Sequence, residues 1–206
     1  MHRRASAAVA AAAFVALAAA GCGGSDQSSA GTTESVISPS SAATSAPSAQ
    51  ASAPSTTAAA GDYSALLIKP GDIGPDVTAD GPPNANPGDL PGTGQAFRTA
   101  DGRAVVISIA VFPDAAAAAA LIQPMKDELT AKIDGPQKPV DIGSTGFLAE
   151  GPAKKKSMDM SEVVFTQGRA LVDLEIDSPT GNPASSEMLL DVARKQAAAV
   201  ASGLPG

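Results

Sequence analysis

The sequence predicts an α+β domain: an antiparallel sheet built from hairpins, with two main helices packed on it, preceded by a disordered tether. Three observations predict it. Two apolar segments are each broken by a turn, at Asp101-Gly102 and at Gln167-Gly168. Each of these hairpins is followed by a segment with apolar residues at helical spacing. Upstream of residue 61 the composition changes abruptly to small and polar residues that cannot form a core.

Residues 23–60 are the tether. Of these 38 residues 32 are Gly, Ser, Ala, Thr or Pro, and only Asp26 and Glu34 are charged. Such a chain buries too little apolar surface to offset its ordering entropy. As a flexible coil it spans roughly 30–35 Å r.m.s.. Its Ser/Thr/Pro content also suits O-glycosylation.

Residues 61–206 suit one domain. Asp62 followed by Tyr63–Ile68 predicts one or two helical turns halted at Pro70-Gly71, and the Gly- and Pro-rich residues 70–94 predict a long loop. Phe97–Ala100 reads as a short strand, and Asp101-Gly102 as a two-residue type I′ turn. The return strand, Arg103–Phe112, is apolar on both faces and therefore belongs inside a sheet covered on both sides. Asp114 is the predicted N-cap of a helix through Ile133, with Ala118, Leu121, Ile122, Met125, Leu129 and Ile133 as its stripe. Pro124 predicts a kink or a late start within it.

Short strands are expected at Val140–Ile142 and Gly146–Glu150. The basic loop Lys154-Lys155-Lys156 then leads into a strand from about Met158 to Thr166. In Arg169–Asp177, Ala170, Val172, Leu174 and Ile176 alternate with Arg169, Asp173, Glu175 and Asp177, the pattern of a strand with one buried and one wet face. Asn182 and Pro183 are expected to cap a final helix to about Ser202, with Leu189, Val192, Ala193 and Val200 as its stripe. Gly102–Val106 and Gly168–Val172 echo one another, each following a turn and preceding a helix, as duplication or convergence on one hairpin recipe would both produce.

The first 22 residues address the chain. His2, Arg3 and Arg4 precede an apolar run, Ala5–Ala20, too short and too alanine-rich to span a membrane. Ala19-Ala20-Gly21 then lead directly into Cys22, the only cysteine. This resembles the lipobox of bacterial lipoproteins, with Ala19 standing where that family most often has leucine. The resemblance implies a signal peptide over residues 1–21, its removal before Cys22, and lipidation of the Cys22 thiol with diacylglycerol. It also implies retention by acyl chains on the extracytoplasmic face of the cell membrane.

Removal of residues 1–21 takes the only histidine and two of the 14 basic residues, leaving about −9 net charge against 21 acidic residues. Without histidine there is no Ser-His-Asp or Cys-His catalysis and no ordinary zinc or copper site. The acidic balance excludes nucleic acid as a partner. No cofactor, metal site or catalytic residue is expected.

Acidic groups that could still do chemistry are turn aspartates Asp72, Asp76, Asp80, Asp89 and Asp101, which match no Ca²⁺ loop, and the strand acids Glu162, Asp173, Glu175 and Asp177. The last group is expected to be solvated. Lys154–Lys156 reads as a polar hairpin loop, or as a patch orienting the domain at an anionic bilayer.

Signal, tether and acidic domain together resemble cell-envelope lipoproteins of mycobacteria and related actinobacteria. Within that resemblance the domain is similar to the Mog1/PsbP-like sandwich or to the extracellular sensor domains of receptor kinases. It implies a non-catalytic, membrane-anchored lipoprotein binding a partner protein or cell-wall component. The alternatives are a lipid or small-molecule carrier, and a carboxylate-dependent hydrolase using acids drawn from Glu150, Glu162, Asp173 and Glu175.

Overall fold

The computed structural model describes residues 61–204, which form one eight-stranded antiparallel sheet with helices on both faces. The signal peptide (1–21), Cys22 and the tether (22–60) lie outside the described residues. The strands are β1 (Thr78–Ala79), β2 (Asn84–Ala85), β3 (Gly92–Arg98), β4 (Ala104–Val111), β5 (Gln137–Val140), β6 (Thr145–Pro152), β7 (Asp159–Gln167) and β8 (Ala170–Ser178). The order across the sheet is β1-β3-β4-β8-β7-β6-β5, with β2 also on β3. The helices are α1 (Pro70–Ile73), α2 (Ala115–Ala119), α3 (Ile122–Lys132) and α4 (Ser186–Gly203).

The expected layers are present, and the two main helices lie on opposite faces. On one face α4 packs Leu189, Val192, Ala193, Ala197 and Val200 against Val105, Ile107 and Ile109 of β4 and Val172, Leu174 and Ile176 of β8. On the other, α3 packs Ile122, Met125 and Leu129 against Phe147 and Ala149 of β6, Val164 of β7 and Leu171 of β8. Strand β4 is buried on both faces only from Ile107 to Val111; contrary to the expectation of a strand covered on both sides throughout, Ala104 and Val106 are only partly buried.

Several local expectations are corrected. Pro70 opens α1 rather than halting a helix: its fixed φ and missing N–H suit a first helical position, and Asp72 Oδ2 accepts from Lys69 N at 2.8 Å. Residues 63–68 form only a 3-10 turn at Ser64–Leu66. The 70–94 segment carries β1 and β2, and β3 begins at Gly92, pairing with Ala110 of the apolar β4. At Thr99–Arg103 only Gly102 has positive φ (+88°), and Gly102 N donates to Thr99 O. That is a three-residue turn with its glycine in the left-handed position, not type I′.

The helix after Asp114 is two helices. Asp114 caps α2, its Oδ1 accepting from Ala117 N at 2.8 Å. The break falls at Ala120-Leu121, so Pro124 sits in the first turn of α3, where a missing N–H costs nothing. The strand expected at Val140–Ile142 is β5 at Gln137–Val140. The cap of α4 is Ser185, whose Oγ accepts from Met188 N at 3.1 Å; Asn182 is engaged elsewhere.

Two arginines cross-link the hairpins. Arg103, ahead of β4, donates from Nη2 to Asn182 O, Asn182 Oδ1 and Pro183 O at 3.2, 3.1 and 3.4 Å, on the approach to α4. Arg169, ahead of β8, donates from Nη1 to Phe112 O at 3.0 Å, on the approach to α2. Each hairpin thus holds the entry to the helix that follows the other. The sequence echo does not extend to the faces: Val105 lies on the α4 side and its counterpart Leu171 on the α3 side. No rotation that keeps the faces of the sheet relates the two copies, which favours convergence on one recipe.

Candidate functional site

The face of β8 expected to be wet is largely covered. Leu171, Asp173, Glu175 and Asp177 share the α3 side, because side chains alternate along a strand. Glu162 of β7 stands opposite Glu175, and Val164 opposite Asp173. Glu162 is 0 % exposed and Asp173 4 %. This corrects the expectation of solvated acids, for these two groups most fully.

The counter-ion is Lys132, the last residue of α3. Its Nζ lies 2.9 Å from Glu162 Oε2, donates to Glu162 Oε1 at 3.2 Å, and lies 3.1 Å from Glu175 Oε2. The β6–β7 loop holds this end of the helix. Lys154 N donates to Lys132 O at 2.8 Å, Lys154 Nζ to Thr130 O at 2.7 Å, and Ala153 bridges Ile133. Carbonyls at a helix C-terminus lack intrahelical partners, and here the loop supplies them. Lys156, at the end of the same basic run, puts its Nζ 3.5 Å from Asp177 Oδ2 and 4.0 Å from Glu175 Oε1. Two of the three loop lysines therefore reach into their own domain.

Four carboxylates against two ammonium groups shift the protonation equilibria. Burial, then the neighbouring Asp173, push Glu162 well above the ordinary glutamate range; Lys132 opposes this without prevailing. Burial likewise pushes Asp173 up to about 6, against the pull of Lys132 and a hydrogen bond with Glu162. Asp177 is raised by burial and by Glu175. Burial works against the charge on Lys132, yet Glu162, Asp173 and Glu175 together hold its pKa above the usual lysine value.

The cluster adjoins a cleft. Helix α3 is about 16 Å long and leaves part of this face bare. Ala96 of β3 with Ala104 and Val106 of β4 floor a cleft of about 420 Å³ there, open to solvent. Arg98, paired with Asp80 at 3.0 Å, stands on one side. Glu175, Asp177, Lys156 and Met158 stand on the other. The cleft touches the α3-side apolar cluster only through Met158 and is open to solvent, so it is not the hydrocarbon-enclosed space that a lipid carrier would need.

Of the acids proposed for hydrolysis, the structure brings together Glu162, Asp173 and Glu175. Glu150 lies on the opposite face, accepting from Ser186 Oγ at 2.7 Å. Burial favours the protonated form of both Glu162 and Asp173, the arrangement that general acid–base work requires. Neither lines the cleft, whose acidic side chains are Glu175, Asp177 and the Arg98-paired Asp80. Three of the turn aspartates have local duties: Asp72 at the start of α1, Asp80 with Arg98, and Asp101 with Thr99 and Arg103.

Sequence reasoning missed Lys132, Lys156 and Arg98. For Lys132 a signal existed: it falls three residues after Leu129, adjoining the buried stripe of α3. Its partners are 30 and 43 residues away, and nothing local points to them.

No family model matches the chain, and no curated protein matches it in sequence. Among solved structures, the extracellular domain of PknH from Mycobacterium tuberculosis is similar at a TM-score of 0.43 and 12 % identity. The match covers 65 % of this chain and 94 % of that one. Likeness at that level carries nothing about ligand, partner or location.

Proposed function

We propose that the chain is a lipid-anchored, extracytoplasmic lipoprotein with a non-catalytic domain that binds a ligand or partner in the cleft over Ala96, Ala104 and Val106. The anchor rests on the Ala19-Ala20-Gly21-Cys22 sequence. The binding role rests on one observation: a bare, charge-walled concavity on a sheet face otherwise covered by a helix. The non-catalytic reading is supported by the burial of the two acids best suited to proton transfer, away from the cleft lining.

The test fills the cleft. Val106 is half-buried on its floor, and Val106→Trp fills the space. Native mass spectrometry of the wild-type protein recovered from its own envelope should show a bound species that the variant lacks. Identical spectra for the two proteins would remove the cleft from the reading.

A further inference from the structure

On the reading that the cleft is a binding site, the chain itself carries an occupant for it. The chemistry of the cleft changes in order from one wall to the other. Arg98 of β3 uses only its Nε on Asp80, at 3.0 Å, and its two Nη groups have no partner among the described residues. Its side chain is 44 % exposed. Ala104 stands opposite Arg98 in the register and, with Ala96 and Val106, makes the apolar floor. Asp177 and Glu175 of β8, opposite Ala104 and Val106, form the far side. The order is guanidinium, aliphatic, carboxylate.

The tether holds a segment of complementary order. Among residues 23–60, Val36 and Ile37 are the only branched hydrocarbon side chains, and Glu34 is one of two charged residues. In an extended segment alternate residues share a side, at steps of about 6.6 Å. Glu34, Val36 and Ser38 would then present a carboxylate, an aliphatic group and a hydroxyl in turn. The β-branched pair favours that extended form.

The length of chain suits the distance. Residues 40–60 number 21 and as a coil would span about 25 Å r.m.s.. Gly61 enters the domain just before Ser64–Leu66, which packs on β3, the strand whose other face contributes to the cleft floor. A link of that length sets an effective concentration on the order of 1 mM. A contact too weak to join separate molecules therefore forms within one chain.

We infer that segment 34–39 of the tether occupies the cleft of its own domain. Glu34 meets the Nη groups of Arg98, Val36 lies on Ala104 and Val106, and Ser38 donates to Asp177 or Glu175. The segment is a resident competitor. An external ligand or partner enters by displacing it, and its displacement lengthens the stretch of chain between Cys22 and the domain.

The experiment compares the isotope-labelled full chain with its Val36→Ser variant in non-ionic detergent, a change outside the sheet and its helices. A synthetic peptide of residues 32–41 is the external probe. Backbone amide shifts at Ala96, Arg98, Ala104 and Val106, followed by NMR, should differ between the two proteins. The peptide should saturate these residues at several-fold lower concentration in Val36→Ser than in wild type, where the resident segment competes.

Identical shifts at the cleft in the two proteins, or equal peptide affinity for them, overturn the inference. Saturable peptide binding in that case leaves the cleft as a binding site, and no binding counts against the cleft as well. Differences that vanish on dilution put the segment of a second copy in the cleft and overturn the inference too.

Discussion

Lys132 holds its ammonium 2.9 Å from the fully buried carboxyl of Glu162, and this contact ties the end of α3 to the middle of the sheet. Burial and the neighbouring Asp173 hold Glu162 well above the ordinary glutamate range, while the three acids around Lys132 favour its charged form.

The two partners should therefore respond unequally to mutation. Lys132→Met strands buried carboxylates and should cost about 2–3 kcal/mol, at the low end of the range for breaking a buried pair because Lys132 is partly exposed. Glu162→Gln replaces an acid whose charged form burial disfavours by a neutral group of the same shape and should cost under about 1 kcal/mol. Urea denaturation of the two variants checks the order; equal losses would mean that Glu162 is ionised.

Stability should fall as pH rises. Glu162, Asp173 and Asp177 have folded pKa values above their unfolded ones, so the native state binds more protons. Their contribution is complete below the unfolded value near 4 and is lost as pH rises through the folded values, for Asp173 between 3.8 and about 6. The opposing cations are Lys132 from α3 and Lys156 from the loop, with Glu128 of α3 adding negative charge. Stability to urea should decline from about pH 4 to 6 as Asp173 titrates, on the order of 1 kcal/mol per pH unit. Asp173→Asn should flatten the lower part of that slope; a midpoint that climbs with pH would contradict the protonation scheme.

Gln196 should prove the most costly polar residue of α4. It is fully buried, its Oε1 accepts from Ile68 N at 3.2 Å, and its Nε2 donates to Leu66 O at 2.7 Å. Gln196→Leu leaves both backbone groups unpaired and should cost about 2–3 kcal/mol. Hydrogen exchange should accelerate first at Leu66–Ile68. Uniform acceleration across β4 and β8 would show that the clamp is not local.

Anchoring should depend on Cys22 and not on the basic loop. Two or more acyl chains hold a protein stably at the membrane, at ~0.8 kcal/mol per buried CH₂. High salt, or Gln at Lys154, Lys155 and Lys156, should leave the protein in the membrane fraction. Cys22→Ala should release it or leave an uncleaved precursor, and abolish incorporation of a labelled fatty acid. Extraction of wild-type protein by salt alone would mean that the anchor is electrostatic.

The parts of the fold legible in the sequence are those set by short-range pattern. The alternation of β8, the stripes of α3 and α4 and the cap at Asp114 follow from residues within one or two turns of each other. The start of β3 does not, since Gly92-Thr93-Gly94 has poor strand propensity and extends because Ser108, Ile109 and Ala110 of β4 lie on one side and Asn84 and Ala85 of β2 on the other. The acid cluster was misjudged for a similar reason. Asp173, Glu175 and Asp177 alternate identically whether water or a helix lies above them, and what lies above was decided by where α3 docks. Gln196 was readable in part, because it stands four residues after Val192 and four before Val200, on the buried face of α4.

The exchanged arginine clamps have a consequence for how the domain reaches its native state. Arg103 secures the approach to α4 beside Asp159 and Ser178 of that helix's own hairpin, and Arg169 secures the approach to α2, so each helix entry depends on the other hairpin. Folding should therefore be all-or-none across the β4–β8 seam, with no populated half-folded species. Fragments cut between β5 and β6 should each be unstructured, yet regain the sheet when mixed. Such a domain resists stepwise unravelling by proteases, because no part of it opens without the rest.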